Sequence, residues 1–123
     1  MRRATMIVIA VSTLLVSLAA TPAFAGYGAL AREDDSGKYG LSFNEESQGK
    51  ADDVALKICG SDKCKVVFRT VARECGAIAT AEDNKVWGGA KRSQKAAAEL
   101  AAMENCQKRF KGQCKIRGAE CNR

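Results

Sequence analysis

The sequence of 123 residues contains no histidine, which removes the side chain that most often acts as a general base near neutral pH. Serine–histidine and cysteine–histidine nucleophile arrangements are therefore excluded. Structural zinc sites use histidine or closely spaced cysteine pairs, whereas the local cysteine pairs here are separated by four and seven residues. We therefore expect neither a metal nor any other cofactor.

Large apolar side chains are also scarce in this chain. One tryptophan, two tyrosines and four phenylalanines make up 6% of the residues, whereas alanine and glycine are abundant. A domain of this size buries only about two-thirds of the surface of its unfolded chain, so its core must be thin. Covalent cross-links are therefore expected to contribute much of the stability.

The first 25 residues have the features of a secretory signal peptide. Met1-Arg2-Arg3 supplies positive charge, an apolar run extends from Met6 to about Ala20, and Ala23-Phe24-Ala25 fits the small-x-small rule of signal peptidase. The apolar run is short for a bilayer span. We predict cleavage after Ala25, which leaves one domain, residues 26–123, without a membrane anchor. The protein is thus expected to be secreted or periplasmic.

An internal repeat with a shift of 48 residues organises this domain. Gly28-Ala29-Leu30-Ala31 recurs as Gly76-Ala77-Ile78-Ala79, and Tyr39-Gly40 recurs as Trp87-Gly88. In each half a helical pattern then ends in a cysteine, and a second cysteine begins a short strand pattern. The two repeats, 26–73 and 74–123, predict an α+β fold of two strand–strand–helix–strand units, with antiparallel sheet and two packed helices.

Side-chain periodicity predicts the buried face of each element. In the second strand Tyr39, Leu41 and Phe43 alternate with smaller or polar residues, which predicts one buried and one solvated face. We expect Ser47 to cap the first helix, and its buried side is predicted to be Ala51, Val54, Ala55 and Ile58. The second helix is expected to run from Ser93 to about Cys106, with an apolar side of Ala96, Ala97, Leu100 and Met103.

Six cysteines permit fifteen sets of three disulfides, and the repeat reduces this number. Two local pairs each flank the turn after a helix, and the remaining two cysteines occupy matching ends of the two units. A bond between the latter is expected to connect the repeats. The loop-closure relation assigns about 2–3 kcal/mol to each short bond and about 4 kcal/mol to the long one. The expected pairs are Cys59–Cys64, Cys106–Cys114 and Cys75–Cys121.

Several segments of the domain resemble the domain-of-unknown-function family 4189, which occurs in bacterial exported proteins. The resemblance rests on Gly26–Ala31, Lys38–Gly40, Cys59–Val67, Glu74–Ala79 and Trp87–Gly89, together with the alanine-rich second helix. It implies an exported, disulfide-bonded domain, with some members associated with host interaction or virulence, and it implies no established activity. Members often carry more tryptophan and tyrosine where this chain has Ser42-Phe43-Asn44, Gly89-Ala90 and Gly118-Ala119-Glu120.

Basic residues of the second repeat form the main candidate for a binding site. Residues 26–73 contain eight basic and eight acidic groups, whereas residues 74–123 contain ten and six. Lys91 and Arg92 precede the second helix and Lys95 lies in its first turn, where free amide groups favour an anion. Trp87 offers a ring nearby for stacking. Further cations follow at Lys108, Arg109, Lys111, Lys115 and Arg117.

Two functions of different classes follow from these residues, and a passive structural or stress-resistance component without a defined ligand is a third alternative. The first is a non-enzymatic binding module that engages a protein or an anionic polymer in the envelope or outside the cell, for example as an inhibitor. Export and a net charge of only +4 for residues 26–123 make nucleic acid an unlikely partner. The alternative is a small hydrolase of envelope glycans that uses two carboxyl groups. Its candidate residues are Glu33, Asp34, Asp35, Glu45, Glu46, Asp52 and Asp53.

Overall fold

The computed structural model describes residues 26–123, so the predicted signal peptide lies outside the described residues. Each repeat contributes two strands, a helix and a third strand. The first repeat contains β1 (Tyr27–Arg32), β2 (Tyr39–Glu45), α1 (Gln48–Cys59) and β3 (Lys65–Thr70). The second repeat contains β4 (Cys75–Ala81), β5 (Trp87–Arg92), α2 (Lys95–Gln107) and β6 (Cys114–Cys121).

Each repeat forms its own antiparallel three-stranded sheet, with the first strand of the repeat in the centre. The strand orders are β2-β1-β3 and β5-β4-β6. The register between the first and third strands shifts at the same place in both sheets, between Leu30 and Ala31 and between Ile78 and Ala79. These facts confirm the predicted α+β fold of two strand–strand–helix–strand units, and they divide the strands between two sheets.

A helix covers the outer face of each sheet at close range, and a glycine makes this approach possible. A Cβ atom at Gly40 in β2 would collide with the backbone of α1 at Ala55 and Cys59. A Cβ atom at Gly88 in β5 would collide in the same way with Ala102 and Cys106 of α2. Only small side chains fit between helix and sheet. The buried residues are Ala51, Ala55 and Cys59 in α1, and Ala98, Ala102 and Cys106 in α2.

This close packing makes part of the predicted helix faces wrong. Ala51 and Ala55 are buried as expected, but Val54 is only half-buried and Ile58 is 58% exposed. The predicted side of α2 is wrong at Ala96 and Leu100, which are exposed, whereas Ala97 is half-buried and Met103 packs half-buried against the core. The prediction favoured larger apolar side chains, whereas the glycine contacts admit only alanine and cysteine.

The start of α2 also differs from the prediction, while the start of α1 agrees with it. Ser47 caps α1, and its side chain accepts a hydrogen bond from the amide of Lys50. In the second repeat β5 continues through Arg92, and α2 begins at Lys95 rather than at Ser93. Its N-cap is Gln94, which makes no capping hydrogen bond through its side chain.

The inner faces of the two sheets pack against each other, so the sheets lie between the two helices. Leu30 and Ile78, on the two central strands, are fully buried. A Cβ atom at Gly118 would lie 2.6 Å from Cδ1 of Leu41, and one at Gly89 would lie 2.6 Å from Cε1 of Phe68. The large side chains of one sheet therefore contact glycines of the other.

Most of β2 is covered on both faces, which corrects the prediction of one solvated face, although Asn44 on that face is exposed as predicted. Leu41 and Phe43 point to the second sheet and are half-buried. Gly40 and Ser42, which the alternating pattern of β2 predicts to be solvent-exposed, are buried beneath α1. The hydroxyl of Ser42 is satisfied there because it donates to the carbonyl of Ala51 at 2.6 Å and accepts from the amide of Ala29 at 3.0 Å.

The structure contains the three predicted disulfides, Cys59–Cys64, Cys106–Cys114 and Cys75–Cys121. The two short bonds close the turns that follow the helices. The long bond joins β4 to β6, at positions that are direct partners in the second sheet. The expectation that this bond connects the two repeats is therefore wrong, since both of its ends belong to the second repeat.

Noncovalent contacts of the C-terminal residues connect the repeats instead. Asn122 is 5% exposed, and its side-chain amide donates to Oγ1 of Thr70 at 2.7 Å and to the carbonyl of Val71 at 3.0 Å. Its side-chain oxygen accepts from the amide of Asn44 at 2.9 Å. The side-chain oxygen of Asn44 in turn accepts from the amide of Arg123 at 2.7 Å. The end of the second repeat is thus anchored in the first.

Candidate functional site

Three of the four predicted partner-binding residues lie at one end of the second repeat. Lys91 and Arg92 end β5, Lys95 begins α2, and all three are exposed. Nζ of Lys91 donates to the carbonyl of Arg69 at 3.1 Å, which holds this side chain across the junction between the sheets. Nη1 of Arg92 donates to the carbonyl of Lys91 at 2.8 Å.

A fourth cation at this end was missed by the sequence analysis. Arg73 lies in the turn between β3 and β4, where it is exposed and has a left-handed φ of 65°. It stands two residues before Cys75, whose partner in β5 is Arg92. The pairing of β4 with β5, which charge counts along the sequence do not reveal, brings Arg73 to Arg92. We call Arg73, Lys91, Arg92 and Lys95 the basic end.

Trp87 does not belong to the basic end. It begins β5, four residues before Lys91, which corresponds to about 13 Å along an extended strand. The guanidinium of Arg32 lies over its ring, with the central carbon 5.5 Å from the ring centroid. That guanidinium also donates to the carbonyls of Asn84 and Lys85 in the turn after β4. The ring therefore packs in the junction between the repeats rather than beside the three cations.

The two repeats differ in how their charges are paired. Among the described residues there are three ion pairs, Arg32–Asp34, Lys63–Asp35 and Arg69–Asp52, and all three lie in the first repeat. Hydrogen bonds from the Arg69 guanidinium hold the pKa of Asp52 below its ordinary value. No cation of the second repeat has a carboxylate within ion-pair distance among residues 26–123.

A second group of cations lies at the opposite end of α2. Lys108, Arg109 and Lys111 are exposed in the loop that the Cys106–Cys114 bond closes. The thirteen residues of α2 separate this loop from Lys95 by about 20 Å. Lys115 and Arg117 follow in β6. The corresponding loop of the first repeat, residues 60–63, is three residues shorter and contains one acidic and one basic residue.

Two of the candidate carboxyl groups, Glu33 and Asp52, are held by hydrogen bonds from neighbouring side chains. The side chain of Ser36 donates to Glu33 at 2.7 Å, and this bond is the main reason why the pKa of Glu33 lies below its ordinary value. Asp52 is held by Arg69, and its pKa is lowered as well. An acid catalyst in glycan hydrolysis needs a raised pKa. The remaining candidates are Asp34 and Asp35 in the turn after β1, Glu45 and Glu46 at the end of β2, and Asp53 on α1.

Two further observations concern metal sites and membrane spans. Within residues 26–123, no three potential metal-ligating side chains of histidine, cysteine, aspartate or glutamate lie close enough together to hold an ion. Over the same residues, neither helix combines the length and the apolar character that a membrane crossing requires.

An open cleft of about 450 Å³ lies where the two repeats meet, at the end of the molecule opposite the basic end. Its walls are the turn between β1 and β2, the last turn of α1, and two residues of the second repeat, Asn84 and Arg117. The sequence does not indicate this cleft, because its lining comes from four segments that are distant in the chain.

Comparisons with known proteins place this fold in a family. The structure is similar to the NMR structure of Rv1813c from Mycobacterium tuberculosis, with a TM-score of 0.58 and 26% sequence identity. The match covers 99% of each chain. No curated protein matches the chain. The family model described as "Domain of unknown function (DUF4189)" matches residues 27–121, which is nearly the whole described domain. The chain therefore belongs to the DUF4189 family, as the resemblance predicted.

Proposed function

We propose that the protein is an exported, non-enzymatic binding module whose basic end engages an acidic protein or an anionic polymer in the envelope or outside the cell. The proposal rests on one observation. The ten cations of the second repeat have no ion-pair partner among the described residues, whereas all three ion pairs lie in the first repeat. These ten cations outnumber the six acidic groups of the second repeat, and such a surplus of positive charge favours an acidic partner.

The location of the protein supports this proposal. Three disulfides indicate an oxidising, extracytoplasmic compartment. The predicted signal peptide, cleaved after Ala25, is the route by which the chain would reach it. In that compartment the partner would be an envelope polymer, an envelope protein or a protein outside the cell.

The rigidity of the basic end also supports binding. Arg92 is paired in the sheet opposite Cys75, and the Cys75–Cys121 bond holds that strand in place. A surface that is already ordered loses little conformational entropy when it binds. The first amides of α2 receive no hydrogen bond from the side chain of their N-cap residue, and they add partial positive charge beside Lys95. Inhibition of another enzyme is one form that such binding can take.

The test is capture of partners from envelope and host extracts by the oxidised protein and by the variant Lys91→Glu with Arg92→Glu. We expect this variant to lose a partner that the wild type captures, and we expect the captured partner to be released at higher ionic strength. The matched control is Lys50→Glu with Lys57→Glu, which makes the same charge change on exposed positions of α1.

The control distinguishes a defined site from general charge attraction. The proposal predicts that the control variant keeps the captured partner. Equal loss with both variants would show that only net charge matters, and unchanged capture by Lys91→Glu with Arg92→Glu would refute the role of the basic end. Identification of the captured material by mass spectrometry then separates proteins from polymers.

A further inference from the structure

The cleft of about 450 Å³ between the repeats, which we call the inter-repeat cleft, is a second candidate site and does not depend on the function proposed above. Residues of both repeats line it. Lys38 and Tyr39 come from the start of β2, Ile58 comes from the last turn of α1, and Asn84 and Arg117 come from the second repeat. Its volume lies within the range of about 300–1,000 Å³ that is usual for small-ligand sites.

The two repeats carry different side chains at the position of this cleft. The shift of 48 residues relates Tyr39 to Trp87 and relates Thr80 to Arg32. Beside Trp87 the space is filled, because the buried Arg32 side chain lies over the ring and donates to the carbonyls of Asn84 and Lys85. Beside Tyr39 the equivalent residue is the shorter Thr80, to which Arg117 donates a hydrogen bond. A smaller cleft of about 340 Å³ lies beside Arg32, but three carboxylates are among its lining residues.

The charge of the cleft favours an anion. Nε of Arg117 donates to Oγ1 of Thr80 at 2.7 Å, and the Tyr39 hydroxyl donates to the carbonyl of Arg117 at 3.1 Å. These two bonds position the guanidinium, while its terminal nitrogens make no hydrogen bond to any of residues 26–123. Lys38 adds a second positive charge, and no carboxylate is among the lining residues. Arg117 can therefore bind a carboxylate through two parallel hydrogen bonds.

Two other lining residues of the cleft, Ile58 and Tyr39, favour an apolar group. Ile58 is 58% exposed although it is a large aliphatic residue, and the ring of Tyr39 is only half-buried. A ligand that covers Ile58 removes apolar surface from water, which is favourable by about 25 cal/mol per Å². With its carboxylate at Arg117 and its apolar part on Ile58, such a ligand also keeps its charge away from the negative end of the α1 dipole.

We propose that the inter-repeat cleft binds a small amphipathic carboxylate, in which one carboxyl group is joined to an apolar body of a few carbon atoms. Arg117 and Lys38 bind the carboxylate, and Ile58 and Tyr39 contact the apolar body. The site needs both repeats, since Lys38, Tyr39 and Ile58 belong to the first repeat and Arg117 belongs to the second.

The direct test is a ¹H–¹⁵N NMR titration of the oxidised protein with octanoate, octanol and octylammonium. Octanoate is expected to shift the amide signals of residues 36–39, 58–60, 84 and 117 in a saturable manner, at least tenfold more tightly than the two other compounds. Equal affinity for all three compounds, or octanoate shifts centred on the exposed Leu100 or Val71, would overturn the proposal.

Three variants locate the ligand. Ile58→Ser is expected to weaken octanoate binding about tenfold, whereas Leu100→Ser, at an equally exposed position on α2, is expected to leave it unchanged. Thr80→Arg with Arg117→Val is expected to abolish binding. It copies Arg32 and Val67, because the strand registers make Val67 of β3 the equivalent of Arg117 in β6. Because Ile58 is exposed, its variant should fold even if the double variant does not. Wild-type affinity in Ile58→Ser would refute the site.

A last variant separates this proposal from the function proposed for the basic end. Lys91→Glu with Arg92→Glu changes residues at the other end of the molecule and is expected to leave octanoate binding unaltered. Loss of partner capture with normal octanoate binding supports both proposals. Normal octanoate binding without any captured partner would leave the cleft intact and refute only the basic end.

Discussion

The two sheets pack face to face, and the side chains on the packed face differ between the two repeats. In the first repeat this face carries Leu41 and Phe68, whereas the equivalent positions of the second repeat hold Gly89 and Gly118. Leu41 contacts Gly118, and Phe68 contacts Gly89. Two copies of the first repeat would therefore collide, and two copies of the second would leave a void. The repeats share a backbone, but their side chains are complementary.

The means of stabilisation are divided between the repeats in the same way. The first repeat has one disulfide, which closes a short turn, and all three ion pairs of the described residues. The second repeat has two disulfides, one of which joins the first and last residues of its sheet. The second repeat thus has more disulfides than the first and no ion pair among the described residues.

The largest effect that can test this comparison is expected from the long disulfide. Replacing Cys75 and Cys121 with alanine should lower the free energy of unfolding by about 4 kcal/mol, because the bond closes a long loop of the unfolded chain. The same replacement at Cys59 and Cys64 should cost about 2 kcal/mol, since that loop is short. Urea denaturation of the oxidised variants measures both values. Equal losses would show that the second repeat does not depend more strongly on its disulfides.

A smaller effect is expected at the contact between the repeats. Gly118→Ala places a Cβ atom 2.6 Å from Cδ1 of Leu41, and such overpacking should cost about 1–3 kcal/mol. Leu41→Ala in the same chain should recover part of this loss, because it removes the colliding atoms. A double-mutant cycle measured by urea denaturation gives the coupling energy. Strict additivity of the two changes would contradict the complementary packing.

A matched glycine replacement serves as the control for this experiment. Gly49 lies in the first turn of α1, and a Cβ atom there would have no heavy atom within 4 Å. Gly49→Ala should therefore stabilise the protein by about 0.5–1 kcal/mol through the lower entropy of the unfolded chain. A loss of stability at this position would show that the cost of Gly118→Ala is not specific to the contact between the sheets.

The smallest effect concerns the dependence of each repeat on pH. The pKa values of Glu33 and Asp52 are lowered by hydrogen bonds from Ser36 and Arg69, respectively. A carboxyl group whose pKa is lowered in the folded state stabilises the protein at a pH above its ordinary pKa of about 4. This contribution is lost as the pH falls through the pKa of the folded state. Amide hydrogen exchange between pH 5 and pH 2.5 should therefore show the first repeat losing protection before the second. Asp52→Asn should reduce this difference.

Much of the fold could be predicted from the sequence because the repeat signal is local and strong. The order of elements, the Ser47 cap and the cysteine pairs follow from patterns a few residues long. The buried faces of the helices could not be predicted, because their choice depends on how closely Gly40 and Gly88 let the helices approach. Periodicity favours Ile58 and Leu100, whereas the contact distance admits only alanine and cysteine.

The candidate sites were predictable to a lesser degree. The sequence alone indicates the group of Lys91, Arg92 and Lys95, because these residues are close in the chain. Arg73 joins them only through the pairing of β4 with β5. Trp87 does not belong to this group, because the extended strand β5 separates it from Lys91 and its ring packs against Arg32.

The sequence by itself determined that this protein consists of two similar units with six cysteines, no histidine and a surplus of cations in the second unit. It also determined the family and the partners of the disulfides. Tertiary structure alone decided that the long disulfide lies within the second repeat, that the large side chains of one sheet meet glycines of the other, and that a cleft opens beside Tyr39. The physical reason is that these features depend on the volume left between two faces, and that volume is set by residues far apart in the chain.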